Sequence, residues 1–416
     1  MKKIYFASLA AMLLSIPASA QKLTLLQPED GTMPATLCIS PDGKYIGGTD
    51  YYSYSGFVCD WQAGNFKWLE PADEFGCEIR SINNDGIGTG FNGPAITFDI
   101  NGNVTTIGEA NTIGEAISAD GSLICGSITK GEINTAPVLW RDGKMVSLPE
   151  PSTKYAGTNV NGSTAKYMNS DGTVLVGQIV DDMATYPMVV WHQNRDGETY
   201  SADPVCRFYV RPDKDGNKLC SQFSATNISS NGKYVAVTLA WSEDEIMRFG
   251  RYDLEADTLE AAPDPEDADL KGQDFVSSGI ADDGTMIGYI GEREMGSRTA
   301  AIWKAGDKAP MKLSQAFPTV TELADFDATY PMTTPTAITP DGRYIAGFAM
   351  DADGFLKTFV LDTTADPTAV EGVEAEKAKA KVTARYNVAG QKMVSAAKGI
   401  NIIKMSDGRG MKVAVK

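Results

Sequence analysis

The sequence predicts an all-β fold, a β-propeller of seven four-stranded blades followed by a small β-sandwich-like C-terminal domain. Three observations carry that expectation. A short phrase built on Asp-Gly recurs seven times in 416 residues, each copy precedes an apolar run that usually closes on Gly, and most units continue into a second hairpin. Repeats of this length are the mark of propellers and solenoids, because one unit cannot bury its own apolar faces.

The copies are Ile39-Ser-Pro-Asp-Gly43, Ile82-Asn-Asn-Asp-Gly86, Ile117-Ser-Ala-Asp-Gly121, Met168-Asn-Ser-Asp-Gly172, Ile228-Ser-Ser-Asn-Gly232, Ile280-Ala-Asp-Asp-Gly284 and Ile338-Thr-Pro-Asp-Gly342. Asp-Gly between apolar runs predicts a hairpin, since Gly accepts positive φ without steric cost and Asp caps its own turn. The following run ends on Gly in Lys44-Tyr-Ile-Gly-Gly48, Ser122-Leu-Ile-Cys-Gly126, Thr173-Val-Leu-Val-Gly177 and Arg343-Tyr-Ile-Ala-Gly347. Second hairpins follow at Val138-Leu-Trp140 with Arg141-Asp-Gly143, and at Ala301-Ile-Trp303 with Lys304-Ala-Gly306. Successive Asp positions lie 43, 35, 51, 60, 52 and 58 residues apart, which suits four-stranded blades joined by loops of unequal length. Six or eight blades are the neighbouring counts. The last unit lacks a fourth strand, and 22–27 at the other end of the chain is placed to supply it, hiding the open edges.

Residues 1–20 read as a signal peptide: Lys2 and Lys3, an apolar run, then Ala18-Ser19-Ala20 as a cleavage site. The domains expected are therefore 1–20 signal peptide, 21–363 propeller, 364–380 linker and 381–416 C-terminal domain. No later stretch approaches the roughly 18 apolar residues of a spanning helix. Export makes the protein secreted or displayed at the cell surface.

Charge is segregated. Residues 377–416 hold ten Lys or Arg against one acid, whereas 21–376 holds twenty-five basic residues against fifty-three acidic ones. Such a body repels phosphate backbones, which excludes nucleic acid as a partner. A glycan, peptide or protein ligand is expected instead. Of the six cysteines, Cys206 and Cys220 flank a turn-like segment and are the expected disulfide, while Cys38, Cys59, Cys77 and Cys125 stand open between pairing and burial as small hydrophobes.

The repeat phrase resembles the propeller repeats of TolB-like proteins, and Val138-Leu-Trp-Arg-Asp-Gly-Lys-Met-Val-Ser-Leu148 resembles short extracellular repeats with a Trp, Gly and Leu signature. These likenesses imply a propeller and no reaction. In the tail, Arg385-Tyr-Asn-Val-Ala-Gly-Gln-Lys392, Lys398-Gly-Ile-Asn-Ile-Ile403 and Met411-Lys-Val-Ala-Val-Lys416 resemble the sorting domain of type IX secretion cargo from Bacteroidetes. The resemblance implies that residues 381–416 engage the type IX secretion machinery after passage through the periplasm.

With Asp-Gly turns on one face of the disc, the long connections collect on the other, where rigid scaffolds carry function. That face offers Tyr51, Tyr52, Tyr54, Tyr186 and Trp241 beside Asp181, Asp182, Glu243, Asp244, Glu245, Glu292 and Glu294. Aromatic rings offer platforms to sugar faces, and carboxylates accept hydroxyl hydrogen bonds or take Ca²⁺. The plainer reading makes the acids solubilising and the tyrosines inter-blade packing. No catalytic residue is assigned. His192, the single histidine, sits in Val189-Val-Trp-His-Gln193 and reads as structural, which leaves no histidine-rich metal site. No phosphate-binding loop or nucleophile elbow occurs. A paired-carboxylate glycoside hydrolase or lyase on the same face is the alternative to a binding scaffold. Asp213-Lys-Asp-Gly-Asn217 and Asp351-Ala-Asp-Gly354 have Ca²⁺-loop flavour without the full oxygen spacing, so no cofactor or metal is assigned beyond that weak Ca²⁺ pattern.

Overall fold

The computed structural model describes residues 21–28, 31–131, 134–151, 154–155, 158–181, 188–205, 220–241, 245–265, 267–291, 297–364, 382–387, 391–393, 395, 398–405 and 410–415. They fall in two compact bodies, 22–363 and one holding the C-terminal strands. Among these residues no helix is long and apolar enough to cross a membrane.

In the larger body, strand pairing makes consecutive four-stranded antiparallel groups: sheet I (34–69), II (77–106), III (112–147), IV (158–205), V (220–261), VI (275–312) and VII (332–362). The fourth strand of sheet VII is Lys22–Leu26, paired antiparallel with Leu356–Asp362 from Lys22 opposite Asp362 to Leu26 opposite Thr358. This is the pairing of chain ends expected from the sequence. Sheets III and IV, and likewise VI and VII, also touch through single parallel pairs, Thr135 with Gly162 and Arg298 with Met332.

The repeat phrase forms the turn between the first and second strands of every sheet. In the third copy the Asp120 carboxylate accepts the Ser122 N–H at 3.0 Å and the Ser118 hydroxyl at 2.7 Å, and these bonds hold its pKa below the usual carboxylate value. Asn231 replaces Asp without loss, because its Oδ1 accepts the Lys233 N–H at 3.0 Å. Gly121 follows at φ 73°, a left-handed conformation that a Cβ would penalise.

A second regularity was not read from the sequence. Every first strand carries a β-bulge, at Leu37, Arg80, Glu115, Lys166, Thr226, Ser278 and Thr336. Each lies five residues before the Asp or Asn of its phrase. A bulge bends the strand and re-aims a side chain. The Gly that closes the second strand answers it in six of the sheets. A Cβ on Gly90 would stand 1.7 Å from the Glu78 carbonyl oxygen, one on Gly177 1.7 Å from that of Thr164, and one on Gly48 2.0 Å from that of Ala35. Sheet V has Val237 opposite Ala225 in the corresponding register.

Hydrophobic cores lie between consecutive sheets. Phe98, Ile79 and Val58 pack between I and II, Trp191 and Leu139 between III and IV, Phe223, Val190 and Tyr252 between IV and V, and Phe249 with Trp303 between V and VI. Sheets VII and I share Ile46, Phe57, Tyr344 and Val360, and the Thr36 and Thr358 hydroxyls meet at 2.8 Å. Each fully buried large side chain contributes about 1.5–3 kcal/mol. The fold is therefore a β-propeller.

Three expectations need revision or restriction. The connection between sheets VI and VII, one of the long connections, contains the helix Glu322–Thr329, because Leu323 and Phe326 one turn apart reach the core between VI and VII. Cys38, Cys59, Cys77 and Cys125 are buried and unpaired, acting as small hydrophobes. Cys206 lies outside the described residues, as does the segment 213–217, so the expected bridge to Cys220 has no structural description. In the smaller body, strands order as Lys392–Met393, Val382–Tyr386, Gly399–Met405 and Gly410–Val415 in one antiparallel sheet.

Candidate functional site

The chain enters each sheet along its first strand and turns back at the phrase, so the phrases share one face and the long connections the other. On the long-connection face the described candidates are Tyr51, Tyr52, Tyr54, Trp241 and Glu245. Asp182, Tyr186, Glu243, Asp244, Glu292 and Glu294 lie outside the described residues, and Asp181 is described only as the end of the strand Val174–Asp181.

The aromatic group is built on Asp50, 1% exposed at the end of a strand. Its carboxylate accepts the backbone N–H of Tyr52 at 3.0 Å, of Ser53 at 2.6 Å, and of Met33. The Tyr54 N–H reaches the Asp50 carbonyl at 3.0 Å, and Tyr54 sits at φ 58°, left-handed for a bulky residue. The loop then locks onto the next connection, where the Cys77 N–H donates to the Tyr54 carbonyl at 2.8 Å and Gly76 lacks the Cβ that would strike Tyr54. Tyr52, Tyr54 and Phe75 are left 81%, 61% and 78% exposed. Tyr51 is less so. Asp50 and Phe75 were not among the sequence candidates; an Asp directly before Tyr-Tyr-Ser-Tyr was the available signal for the first.

In sheet V Glu245 likewise stands at φ 57° with its N–H on the Trp241 carbonyl at 2.8 Å; Trp241 is half-buried at the close of a strand and Glu245 is exposed. Asp351 closes its own turn, its Oδ1 accepting the N–H of Asp353 at 3.0 Å and of Phe355 at 2.9 Å. His192 is an exposed member of the strand Met188–Gln193. Among the described residues no group of three His, Cys, Asp or Glu is placed to hold a metal.

A second feature lies at the centre, where the first strands surround a cavity of about 560 Å³. The bulge residues of every sheet line it. Arg80 donates from Nε to Glu78 at 3.0 Å and from Nη1 to both oxygens of Glu115 at 2.7 and 2.8 Å. Burial works against its charge, yet the Glu115 and Glu78 carboxylates outweigh it and raise the Arg80 pKa. Burial, with Glu115 nearby, also pushes the Tyr167 phenol up. Across the cavity the Ser278 hydroxyl donates to the Pro335 carbonyl at 2.5 Å and the Thr336 hydroxyl to the Thr36 carbonyl at 2.8 Å, while Thr226 and Ser277 share a bond of 2.8 Å. These contacts tie neighbouring sheets. The sequence reading placed function on the long-connection face and missed this ring, although its fixed offset from the Asp-Gly phrase was available.

Comparison with known proteins agrees on the fold and goes no further. No family model matches the chain, and no curated protein does. Among solved structures, a puromycin hydrolase aligns with TM-score 0.50 at 11% identity, covering 95% of this chain and 60% of that one. An oligogalacturonate lyase from Vibrio parahaemolyticus aligns with TM-score 0.49 at 10% identity over 83% and 97% of the two chains. The β-propeller domain of the Trilobed protease from Pyrococcus furiosus gives TM-score 0.45 at 11% identity over 83% and 94%. Identities this low describe a shared fold.

Proposed function

We propose that the protein is a non-enzymatic binding propeller of the cell surface, its sheets forming seven blades of one closed ring, that recognises a glycan, peptide or protein through its long-connection face. The observation that carries this reading is the exposed platform of Tyr52, Tyr54 and Phe75 on loops held by buried Asp50. Rings presented on a rigid loop lose little conformational entropy on binding and offer apolar faces to sugars or side chains. The acidic body favours neutral or basic ligands over anionic polymers. Residues 1–20 direct export in this reading, and residues 381–416 engage the type IX secretion machinery, on the strength of their resemblance to its cargo.

The test is retention of the full chain on glycan and peptide arrays, with product release monitored. Wild type should be retained without product, and Tyr52→Ala with Phe75→Ala should weaken retention at least tenfold at unchanged melting temperature. Product release, or retention indifferent to both substitutions, overturns the reading.

A further inference from the structure

We infer that the central cavity is a cup for a small carboxylate carrying an apolar group, with Lys166 as its charge partner. This site is independent of the aromatic platform. Each first strand runs from the long-connection face towards the Asp-Gly turn. The bulge residue comes first, and two residues further lies the apolar residue that opens the phrase: Ile39, Ile82, Ile117, Met168, Ile228, Ile280 or Ile338. All of these line the cavity. At about 3.3 Å per residue, they form an apolar layer roughly 6–7 Å below the bulge ring.

Beyond that layer the turns draw together. The Ala119 N–H donates to the Ser170 carbonyl at 2.8 Å, the Ser170 N–H to the Ser230 carbonyl at 2.9 Å, and the Asp282 N–H to the Pro340 carbonyl at 2.8 Å. Between other sheets the Asp42 N–H reaches Asn84 Oδ1 at 2.9 Å and the Asn231 N–H reaches Asp282 Oδ1 at 2.8 Å. The cavity thus has a polar wall at the bulge level and an apolar layer beneath it, and at the turn end it is lined by Pro41, Ala119, Ser170, Ser230 and Pro340.

The wall selects the ligand. Arg80 is shared by two carboxylates and has no surplus charge to offer, and the Ser278 and Thr336 hydroxyl protons are committed to neighbouring sheets. Lys166 occupies the same bulge position in sheet IV, lines the cavity, and among the described residues has no hydrogen-bond or ion-pair partner. Glu78 and Glu115 balance Arg80 and Lys166 in formal charge, but both carboxylates are bonded to Arg80, and the Lys166 ammonium, which touches neither and stands beside an apolar layer, matches an acid with an apolar tail. The acidic body repels anions at long range, but salt screens that repulsion beyond about 8 Å at physiological ionic strength, so the short-range pairing decides. A volume of about 560 Å³ is within the usual range for small-molecule sites. The acid group belongs either to a free small molecule or to the C-terminus of a peptide with an apolar last residue.

Calorimetric titration of the full chain separates these. The probes are octanoate against octanamide, and acetyl-Gly-Gly-Leu as free acid against its C-terminal amide. At least one acid should bind, its amide should bind at least tenfold more weakly, and Lys166→Met should erase the difference without moving the melting temperature. Lys166→Arg, which keeps the charge, should retain the preference for acid. Binding by octanoate alone identifies a free acid as the source, and binding by the peptide acid alone a chain terminus. Equal binding of acids and amides, binding of neither acid, or an acid preference that survives Lys166→Met overturns the inference.

Discussion

A glycine on a second strand is the smallest part whose replacement this fold registers. Gly177 lies where the bulge at Lys166 pushes the Thr164 carbonyl inward, so a Cβ would need space already filled by backbone at 1.7 Å. Gly177→Ala should cost about 1–3 kcal/mol, the usual cost of forcing extra atoms into a packed site. Chemical denaturation measures it, and Gly306→Ala is the comparison, since Gly306 has a left-handed turn conformation, φ 84°, but open space around its missing Cβ. A smaller loss at Gly177 than at Gly306 would show that the bulged strand yields more readily than its geometry implies. The recurrence of Gly in the repeat is thereby explained by a carbonyl on the neighbouring strand, beyond any demand for positive φ.

The loop 50–55 is the element on which the proposed binding face depends. Asp50 holds it by accepting three backbone N–H groups, and removing the buried carboxylate takes the acceptor from three part-buried bonds, at a cost of about 1–3 kcal/mol in all. Asp50→Ala should therefore lower stability by that amount, open the loop to limited proteolysis near Tyr52, and reduce retention on the ligand arrays. Unchanged proteolysis would place the loop's order in its contacts with 75–77 instead. The turn chemistry of the repeat was legible from residue types alone, since Asp-Gly acts within a few residues of itself. The Asp50 loop was legible only as a tyrosine-rich connection, because the Met33 and Cys77 backbone groups that shape it come from distant parts of the chain.

For the whole molecule, the buried thiols set an alkaline limit. Burial pushes Cys77 up to about 12, and raises Cys38, Cys59 and Cys125 as well. The folded state keeps these protons while the unfolded chain releases them above its ordinary thiol range near pH 8.5. Stability from this source is thus fully present below pH 8.5 and falls as pH rises towards the folded values, by roughly 1.4 kcal/mol per pH unit for each thiol. Urea unfolding between pH 8 and 10.5 should show a steeper decline for wild type than for Cys77→Ala. Parallel declines would mean that Cys77 ionises as readily in the folded protein as in the unfolded chain.

The repeat, its Asp-Gly turns and the apolar runs around them determined the all-β propeller class, the role of 22–26 as the closing strand, and the face that carries the long connections. These follow from local chemistry and from the need of each unit to bury its faces against another. The tertiary structure decided what sequence distance conceals. It showed which cysteines are buried unpaired, that Leu323 and Phe326 make a helix of an apparent loop, and that seven residues at one fixed offset from the phrase converge on a central cavity. Convergence is a property of the packed sheets: Arg80, Glu115 and Lys166 lie far apart along the chain, and only the packing of successive sheets brings Arg80 against Glu115 and leaves Lys166 lining the cavity with no hydrogen-bond or ion-pair partner among the described residues.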